Sequence, residues 1–391
     1  MFFSVSKTPQ LNFSTNLNYH GWCIDTDQGW SVIRHNGHAL IYKGYIDDGD
    51  LHSEITVIAN EATGLRSGNF CLLIVDINSV RVQHSRVRSF PLWHSNKIGI
   101  TNLLPLERRI YSDAELVLYN DLSFVTNKLN ILSEVKLHTQ SREQVILAID
   151  QILTDRFAKF MSHNQLPVKA FLSGGIDTTL MYGYLKKLDI PHELVLAEHI
   201  EFDQFWVRNH WTITETHWAY QQLHHWRQPT VLVSGCPGDE FSLRNPLMAN
   251  MLSLYHQCTV TELLDWNQQE NYLHRSYFDK KENMLAMEAQ RHDPDLKPVF
   301  TDWDQLGPRL LDQAANDHQH WHLGNTLTFT PMRDLEILKL MLNLPWHDQV
   351  NQMLGASISI ELIERIDPGL LLLLSSQKNT GNYLEKLDKL L

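Results

Sequence analysis

Short apolar stretches separated by turn residues fill the first third of the chain. Four of them have the length and composition of strands: residues 37–44, 70–76, 80–86 and 98–104. Residues 52–63 differ, because their apolar positions recur at the spacing of a helix. Strands that follow one another through short turns favour antiparallel pairing. We therefore predict an antiparallel, sheet-rich α+β domain over residues 1–139.

The period of the pattern changes near the end of this region. Ser141 is a candidate N-cap, and apolar positions recur at helical spacing from Val145 to Phe157. Farther along, apolar strands alternate with helical stretches. These strands are expected at residues 168–172, 192–197 and 230–234. Because strands flanked by helices are typical of a parallel sheet covered on both faces, we predict an α/β domain over residues 140–391.

One strand of the second domain runs directly into a loop rich in glycine and hydroxyl groups, Ser173–Thr179. Glycines let backbone amides approach an anion, while hydroxyls and the N-terminus of the following helix add donors and positive potential. Asp177 would be repelled by a polyphosphate unless a cation lay between them, so we expect Mg²⁺ there. The predicted phosphate-binding residues of this strand end and loop are Leu172, Ser173, Gly174, Gly175, Ile176, Asp177, Thr178 and Thr179.

A second strand end carries an acidic loop. The strand that ends at Ser234 is followed by Gly235, Asp239 and Glu240. In parallel sheets, ligands collect at the carboxyl ends of the strands. We therefore expect Gly235 to border the same phosphates, and Asp239 to join Asp177 as a magnesium ligand. For this loop alone, an acidic surface turn is the alternative interpretation.

Length, charge and cysteine content exclude several classes of protein. The 391 residues are 43% hydrophobic, which is enough for two domains with separate cores. A formal net charge of −12 argues against a nucleic-acid-binding surface. The four cysteines are far apart and form no Cys-x-x-Cys pair, and no apolar run is long enough to span a bilayer. We expect a cytoplasmic protein without nucleic-acid or membrane partners, and a homodimer stays open.

The two loops resemble those of a known family. Ser173–Thr179 resembles the Ser-Gly-Gly-Ile/Leu-Asp-Ser loop of the N-type ATP pyrophosphatases. Ser234–Glu240 is similar to the Ser-Gly-Asp/Glu-Gly-x-Asp-Glu loop of the asparagine synthetase B group, which includes β-lactam synthetases and lasso-peptide cyclases. Further likenesses follow the order of this group along the chain: residues 44–51, 68–76, 85–93, 330–338 and 376–383. Residues 245–325 fit least well.

The resemblance implies a fold and a reaction. Members of the group join a class II glutamine amidotransferase domain of the Ntn type to an ATP-pyrophosphatase domain with an adenine nucleotide α-hydrolase-like fold. A substrate carboxylate would attack the α-phosphorus of ATP, with Mg²⁺ as cofactor and pyrophosphate as leaving group. An amine, from a small molecule or a peptide, would then convert the acyl-adenylate to an amide. The implied catalytic residues are Lys378, which would stabilise negative charge, and Glu240, which would orient nearby groups.

The chain departs from the family where glutamine hydrolysis begins. Class II amidotransferases use an N-terminal cysteine whose own α-amine acts as the base, whereas residue 2 here is Phe2. Cys23 lies in a strand-like segment and cannot perform that chemistry. We therefore expect no glutaminase activity and a structural or substrate-holding N-terminal domain. Cys236 replaces an acidic residue of the ammonia-using members, and Pro237 replaces a glycine of the family. Asparagine synthesis from free ammonia is therefore an alternative and not the preferred reaction.

Other interpretations stay open. Two eroded motifs are compatible with a pseudoenzyme that binds nucleotide and regulates a partner, although the retained carboxylates argue against it. Cys236 could act as an acyltransferase nucleophile, but the Gly-x-Cys-x-Gly spacing is not met. The histidines of 318–322 could bind zinc, although such a run is more often a polar loop.

Overall fold

The computed structural model is described for most of the chain. The described residues are 3–6, 15–62, 64–87, 90, 92–95, 99–101, 115–116, 140–196, 226–235, 238–244 and 324–374. The predictions for the following positions lie outside the described residues: Phe2, Cys236, Pro237, Lys378 and 318–322.

The described strands before residue 140 form two antiparallel sheets. The first contains β1 (Phe3–Ser6), β2 (Thr15–Tyr19), β3 (Trp22–Thr26), β8 (Trp93–Ser95), β9 (Gly99–Thr101) and β10 (Glu115–Leu116), in the order β10-β8-β9-β1-β3-β2. The second contains, in spatial order, β4 (Ser31–His35), β5 (His38–Ile46), β6 (Gly68–Val75) and β7 (Val80–His84). Asn36 and Gly37, both at positive φ, form the two-residue turn between β4 and β5. The predicted antiparallel, sheet-rich N-terminal region is confirmed.

Alternation along β5 and β6 gives this region two cores. Ala39 and Ile41 pack in the core that includes Phe3 of the first sheet, so the two sheets share one layer of apolar side chains. The intervening residue Leu40 packs on the other face, against helix α1 (Leu51–Ile58). The helix predicted over 52–63 therefore exists but ends earlier, because the chain turns after Ile58 toward β6.

A parallel sheet forms the second part of the molecule. Its strands are β11 (Val168–Leu172), β12 (Glu193–Leu196), β13 (Thr230–Val233) and β14 (Thr326–Phe329), in the order β12-β11-β13-β14. All three neighbouring pairs are parallel. The three predicted strands are confirmed, while β14, which alternates threonine with apolar residues, is not predicted by the pattern.

Helices accompany the parallel sheet. They are α2 (Arg142–His163), α3 (Ile176–Lys187), α4 (Gly238–Phe241), α5 (Leu335–Leu342), α6 (Trp346–Gly355), α7 (Ser357–Ile366) and a 3₁₀ helix (Pro368–Leu373). Ser141 caps α2 in a capping box with Gln144, and the helix buries the apolar side chains that the pattern marked from Val145 to Phe157, except Ile152, which is partly buried. Within the described ranges, no helix combines the length and apolar character that a bilayer crossing needs.

A buried lysine joins the sheet-rich region to the parallel sheet. Lys43 in β5 is 5% exposed, and its Nζ lies 3.0 Å from Asp27 Oδ2 and 2.6 Å from the carbonyl oxygen of Gly324, just before β14. The Gly324 amide also donates to Asp27 Oδ2, at 2.9 Å. Burial lowers the pKa of the Lys43 ammonium, and the Asp27 carboxylate opposes this effect. One charge pair thus connects the two parts of the chain.

Tyr45 makes a second connection. Its ring packs against Phe160 of α2 and Phe329 of β14, with centroid distances of 4.9 and 5.6 Å. Its hydroxyl accepts a hydrogen bond from the Thr330 amide at 3.1 Å. Burial raises the pKa of Tyr45 to about 12, so the phenol stays protonated at neutral pH. The apolar core of the second part therefore includes a side chain from the first.

Candidate functional site

The first loop lies where β11 passes into α3. Gly174 has a φ of +76°, a conformation that favours glycine, and Gly175 is the N-cap of α3. Among the described side chains, none caps the N-terminus of this helix. The Ser173 and Thr178 hydroxyls lie 3.1 Å apart, and the Gly175 amide donates to Ser173 Oγ at 3.3 Å. The loop therefore presents two hydroxyls beside a helix N-terminus, which suits an anion.

The side chain of Thr179 is less exposed than those of Ser173 and Thr178. Ser173 is exposed and Thr178 is half-buried, whereas Thr179 is fully buried in the first turns of α3. The hydroxyls that can meet a ligand at the loop surface are therefore those of Ser173 and Thr178.

The second loop contacts the first at Asp177. A Cβ atom added to Gly235 would lie 2.5 Å from the carbonyl carbon of Asp177 and 2.7 Å from its oxygen. A Cβ added to Gly238 would overlap the Asp177 carboxylate. The two loops meet because β11 and β13 are parallel neighbours whose carboxyl ends lie at one edge of the sheet. Glycine at both positions is what permits the close approach.

Arg244 bridges the two predicted magnesium ligands. One of its guanidinium nitrogens, Nη2, forms an ion pair with Asp177 and lies 2.8 Å from Asp239 Oδ1. The Arg244 side chain is 5% exposed, and its Nε donates to Ser242 Oγ at 3.0 Å. The structure therefore brings Asp177 and Asp239 to a common cation.

Sequence reasoning did not foresee Arg244. It lies three residues after Phe241, outside both loops that resemble the family. A signal was present, because a cationic residue five positions after Asp239 is a plausible partner for an acidic loop. What the pattern could not give is the backbone path: Leu243, at φ +60°, is in the left-handed region, and this turns Arg244 back toward the loop.

The side chains of the two predicted catalytic residues, Glu240 and Lys378, lie outside what the structure describes. Glu240 lies in α4, and the position of its side chain is not described. Lys378 lies beyond the last described residue, so its role stays a prediction.

The family-like stretch that begins at Thr330 contacts helix α2. Asp334 caps α5 by accepting from the Glu336 amide at 2.7 Å, and its Oδ2 lies 2.5 Å from Arg156 of α2. Arg156 also pairs with Asp47, which follows β5. Burial raises the pKa of Asp334, and Arg156 opposes the rise. These contacts fasten the end of β14 to the sheet-rich region.

The donor set suits magnesium when it is combined with phosphate. Mg²⁺ in nucleotide sites is held by one or two carboxylates together with phosphate oxygens and waters. Asp177 and Asp239 converge on one cation, as such a site requires. In the described part of the chain, no group of three or more His, Cys, Asp or Glu side chains could hold a metal by itself. As two carboxylates on one cation, Asp177 and Asp239 fit the protein part of a nucleotide-bound magnesium site.

The described cysteines fit no nucleophilic role. Cys23 lies within β3, as expected, opposite Ser6 of β1, and its Sγ donates to Asn18 Oδ1 at 3.2 Å. Cys71 is fully buried in β6, and burial raises the pKa of its thiol well above the usual value.

Comparison with known proteins adds no relative. No protein-family model matches the chain, and no curated protein matches its sequence. The resemblance to the asparagine synthetase B group therefore rests on the motifs in the sequence and stays a prediction.

Gly235→Ala is expected to weaken the binding of a non-hydrolysable ATP analogue by about 10²-fold, since the new methyl group would displace the Asp177 backbone and misplace the loop. Titration calorimetry in the presence of Mg²⁺ measures this affinity. The control is Gly37→Ala, where no atom lies within 4 Å and where φ strain alone costs about 1–2 kcal/mol. Unchanged affinity in Gly235→Ala would contradict the assignment of the loops.

Proposed function

We propose that the protein is an ATP-dependent ligase that forms amide bonds. It joins a carboxylate to an amine, releases AMP and pyrophosphate, and has no glutaminase activity of its own. The observation that carries the proposal is the contact of Asp177 with Gly235 and Gly238, because it unites two strand-end loops with complementary chemistry. One loop offers hydroxyls and a helix N-terminus, and the other offers a second carboxylate.

The residues have distinct parts in the proposed reaction. The Ser173 and Thr178 hydroxyls and the amides at the start of α3 bind phosphate oxygens of ATP and align the α-phosphorus with the substrate carboxylate. Asp177 and Asp239 would hold Mg²⁺, which would supply positive charge to stabilise the leaving pyrophosphate. The amine then attacks the acyl-adenylate, and AMP leaves. Lys378 is proposed to stabilise the negative charge of this step, and Glu240 to orient nearby groups.

The fold family of each region and the location in the cell are part of the same proposal. The sheet-rich region is proposed to be an Ntn-like amidotransferase domain without its nucleophile, and the parallel sheet to be an adenine nucleotide α-hydrolase-like domain, divided at residue 140. The two-sheet arrangement with α1 outside, and the order of the parallel strands, support this proposal. The carboxylate and amine would come from small molecules or a peptide in the cytoplasm.

A nucleotide-binding regulator is the second candidate. One observation favours it: Arg244 already neutralises part of the charge that a catalytic metal would bind. Such a protein would bind ATP through the first loop and release no AMP.

Product analysis separates these candidates. The purified protein is incubated with α-labelled or γ-labelled ATP, Mg²⁺ and the small-molecule fraction of a cell extract, and the labelled products are separated by chromatography. The ligase is expected to form AMP and pyrophosphate in equal amounts only when the extract is present. Formation of ADP and phosphate, or ATP binding without AMP, would contradict the ligase.

A further inference from the structure

Arg244 carries one positive charge between two negative charges at the junction of the loops. Two carboxylates brought together in a cleft repel each other unless a cation lies between them. Arg244 Nη2 contacts both Asp177 and Asp239, and its side chain is withdrawn from solvent. Among the described residues, the cation that contacts both carboxylates is therefore the Arg244 guanidinium group.

We propose that Arg244 pairs with the two carboxylates before metal binds and competes with Mg²⁺ for them. The inference rests on the proposed function only in taking Asp177 and Asp239 as the magnesium ligands. Two cations at the same carboxylate pair repel each other, so Arg244 lowers the affinity for a divalent cation alone. A nucleotide brings further oxygen ligands for the metal and an anionic partner for the displaced guanidinium. Metal and nucleotide thus enter together.

The backbone around Arg244 fixes where its side chain begins. Ser242 Oγ donates to the Gly238 carbonyl oxygen at 2.5 Å, and the Arg244 amide donates to the Asp239 carbonyl oxygen at 2.8 Å. Gln352 of α6 donates to the Ser242 carbonyl oxygen at 2.8 Å. These hydrogen bonds hold the backbone on both sides of Leu243. An exchange of cations would therefore move the Arg244 side chain and not the loop.

The experiment measures Mn²⁺ binding to the full-length protein without nucleotide. Mn²⁺ accepts the same oxygen ligands as Mg²⁺, and its paramagnetic resonance signal reports the free ion. Arg244→Gln is expected to bind Mn²⁺ at least about tenfold more tightly than the wild type, because the competing charge is gone. Its melting temperature is expected to fall without metal and to recover with Mn²⁺. Arg244→Lys keeps the charge and is expected to bind Mn²⁺ as weakly as the wild type.

A matched variant distinguishes the site from a general charge effect. Arg142 also lies between two carboxylates, at 3.6 Å from Asp348 and 2.6 Å from Glu361, away from both loops in the sequence. Arg142→Gln is expected to leave Mn²⁺ affinity unchanged, and Asp239→Asn is expected to abolish the gain in Arg244→Gln.

Several results would overturn the inference. One is a Mn²⁺ affinity of Arg244→Gln that equals or falls below that of the wild type. The other is a gain in Mn²⁺ affinity in Arg142→Gln as large as that in Arg244→Gln. If Arg244→Gln does not fold, Mn²⁺ binding to the wild type is measured with and without a non-hydrolysable ATP analogue. Equal Mn²⁺ affinity under the two conditions would refute the competition. None of these measurements needs turnover. A failed ligase assay therefore tests the proposed function, while unchanged metal affinity tests the role of Arg244 alone.

Discussion

Asp177→Asn is expected to slow the formation of AMP and pyrophosphate by about 10²- to 10³-fold, the loss typical of removing one preorganised electrostatic group from an active site. The amide keeps the shape of the side chain, which fits closely against Gly235 and Gly238, but it removes the charge that would bind the metal. It also leaves Arg244 with one carboxylate partner fewer. Initial rates at saturating ATP, corrected for the folded fraction, measure the effect.

Asp189→Asn supplies the control, at a position two residues beyond the end of the same helix. Asp189 is exposed just after α3 and has a φ of +50°, which asparagine adopts as readily as aspartate. This variant is expected to keep the wild-type rate. A wild-type rate in Asp177→Asn would show that the carboxylate takes no part in the reaction.

Lys43→Met is expected to lower the free energy of unfolding by about 3–5 kcal/mol, because it breaks the buried ion pair between Lys43 and Asp27 by removing one partner. Methionine fills a similar volume, so the loss reflects charge more than packing. The Gly324 carbonyl would lose its ammonium donor as well. Denaturant titration of the purified protein, followed by circular dichroism, measures the change.

Two further variants show whether this loss of stability comes from the buried charge. Lys159→Met removes an exposed ion pair with Asp48, 3.1 Å away, and is expected to cost less than about 1 kcal/mol. Asp27→Asn, added to Lys43→Met, is expected to recover part of the stability, because it removes the buried negative charge that Lys43 had faced. A loss in Lys43→Met no larger than in Lys159→Met would mean that the connection contributes little.

Local signals account for the elements that sequence reasoning predicted. The capping box at Ser141 and the apolar spacing that follows it define α2 without any tertiary information. The contact between the two loops also follows from the sequence, because parallel strands bring their carboxyl ends to one edge. These features depend on neighbouring residues or on a general rule of sheet geometry.

Features that depend on long-range burial were not predicted. Lysine in a strand usually faces solvent, so nothing local distinguishes Lys43 from a surface residue. Its partner Gly324 is distant in sequence and lies next to β14, a strand whose pattern is weak. Arg244 was missed for a related reason, since its position depends on the left-handed turn at Leu243.

The aromatic contact of Tyr45 limits how this polypeptide can be divided or recombined. An isolated fragment starting at Ser141 would expose Phe160 and Phe329 where the phenol ring now covers them. It would also leave the Thr330 amide without its oxygen acceptor. Exchange of one half for that of another protein would meet the same difficulty, because each half completes the packing of the other.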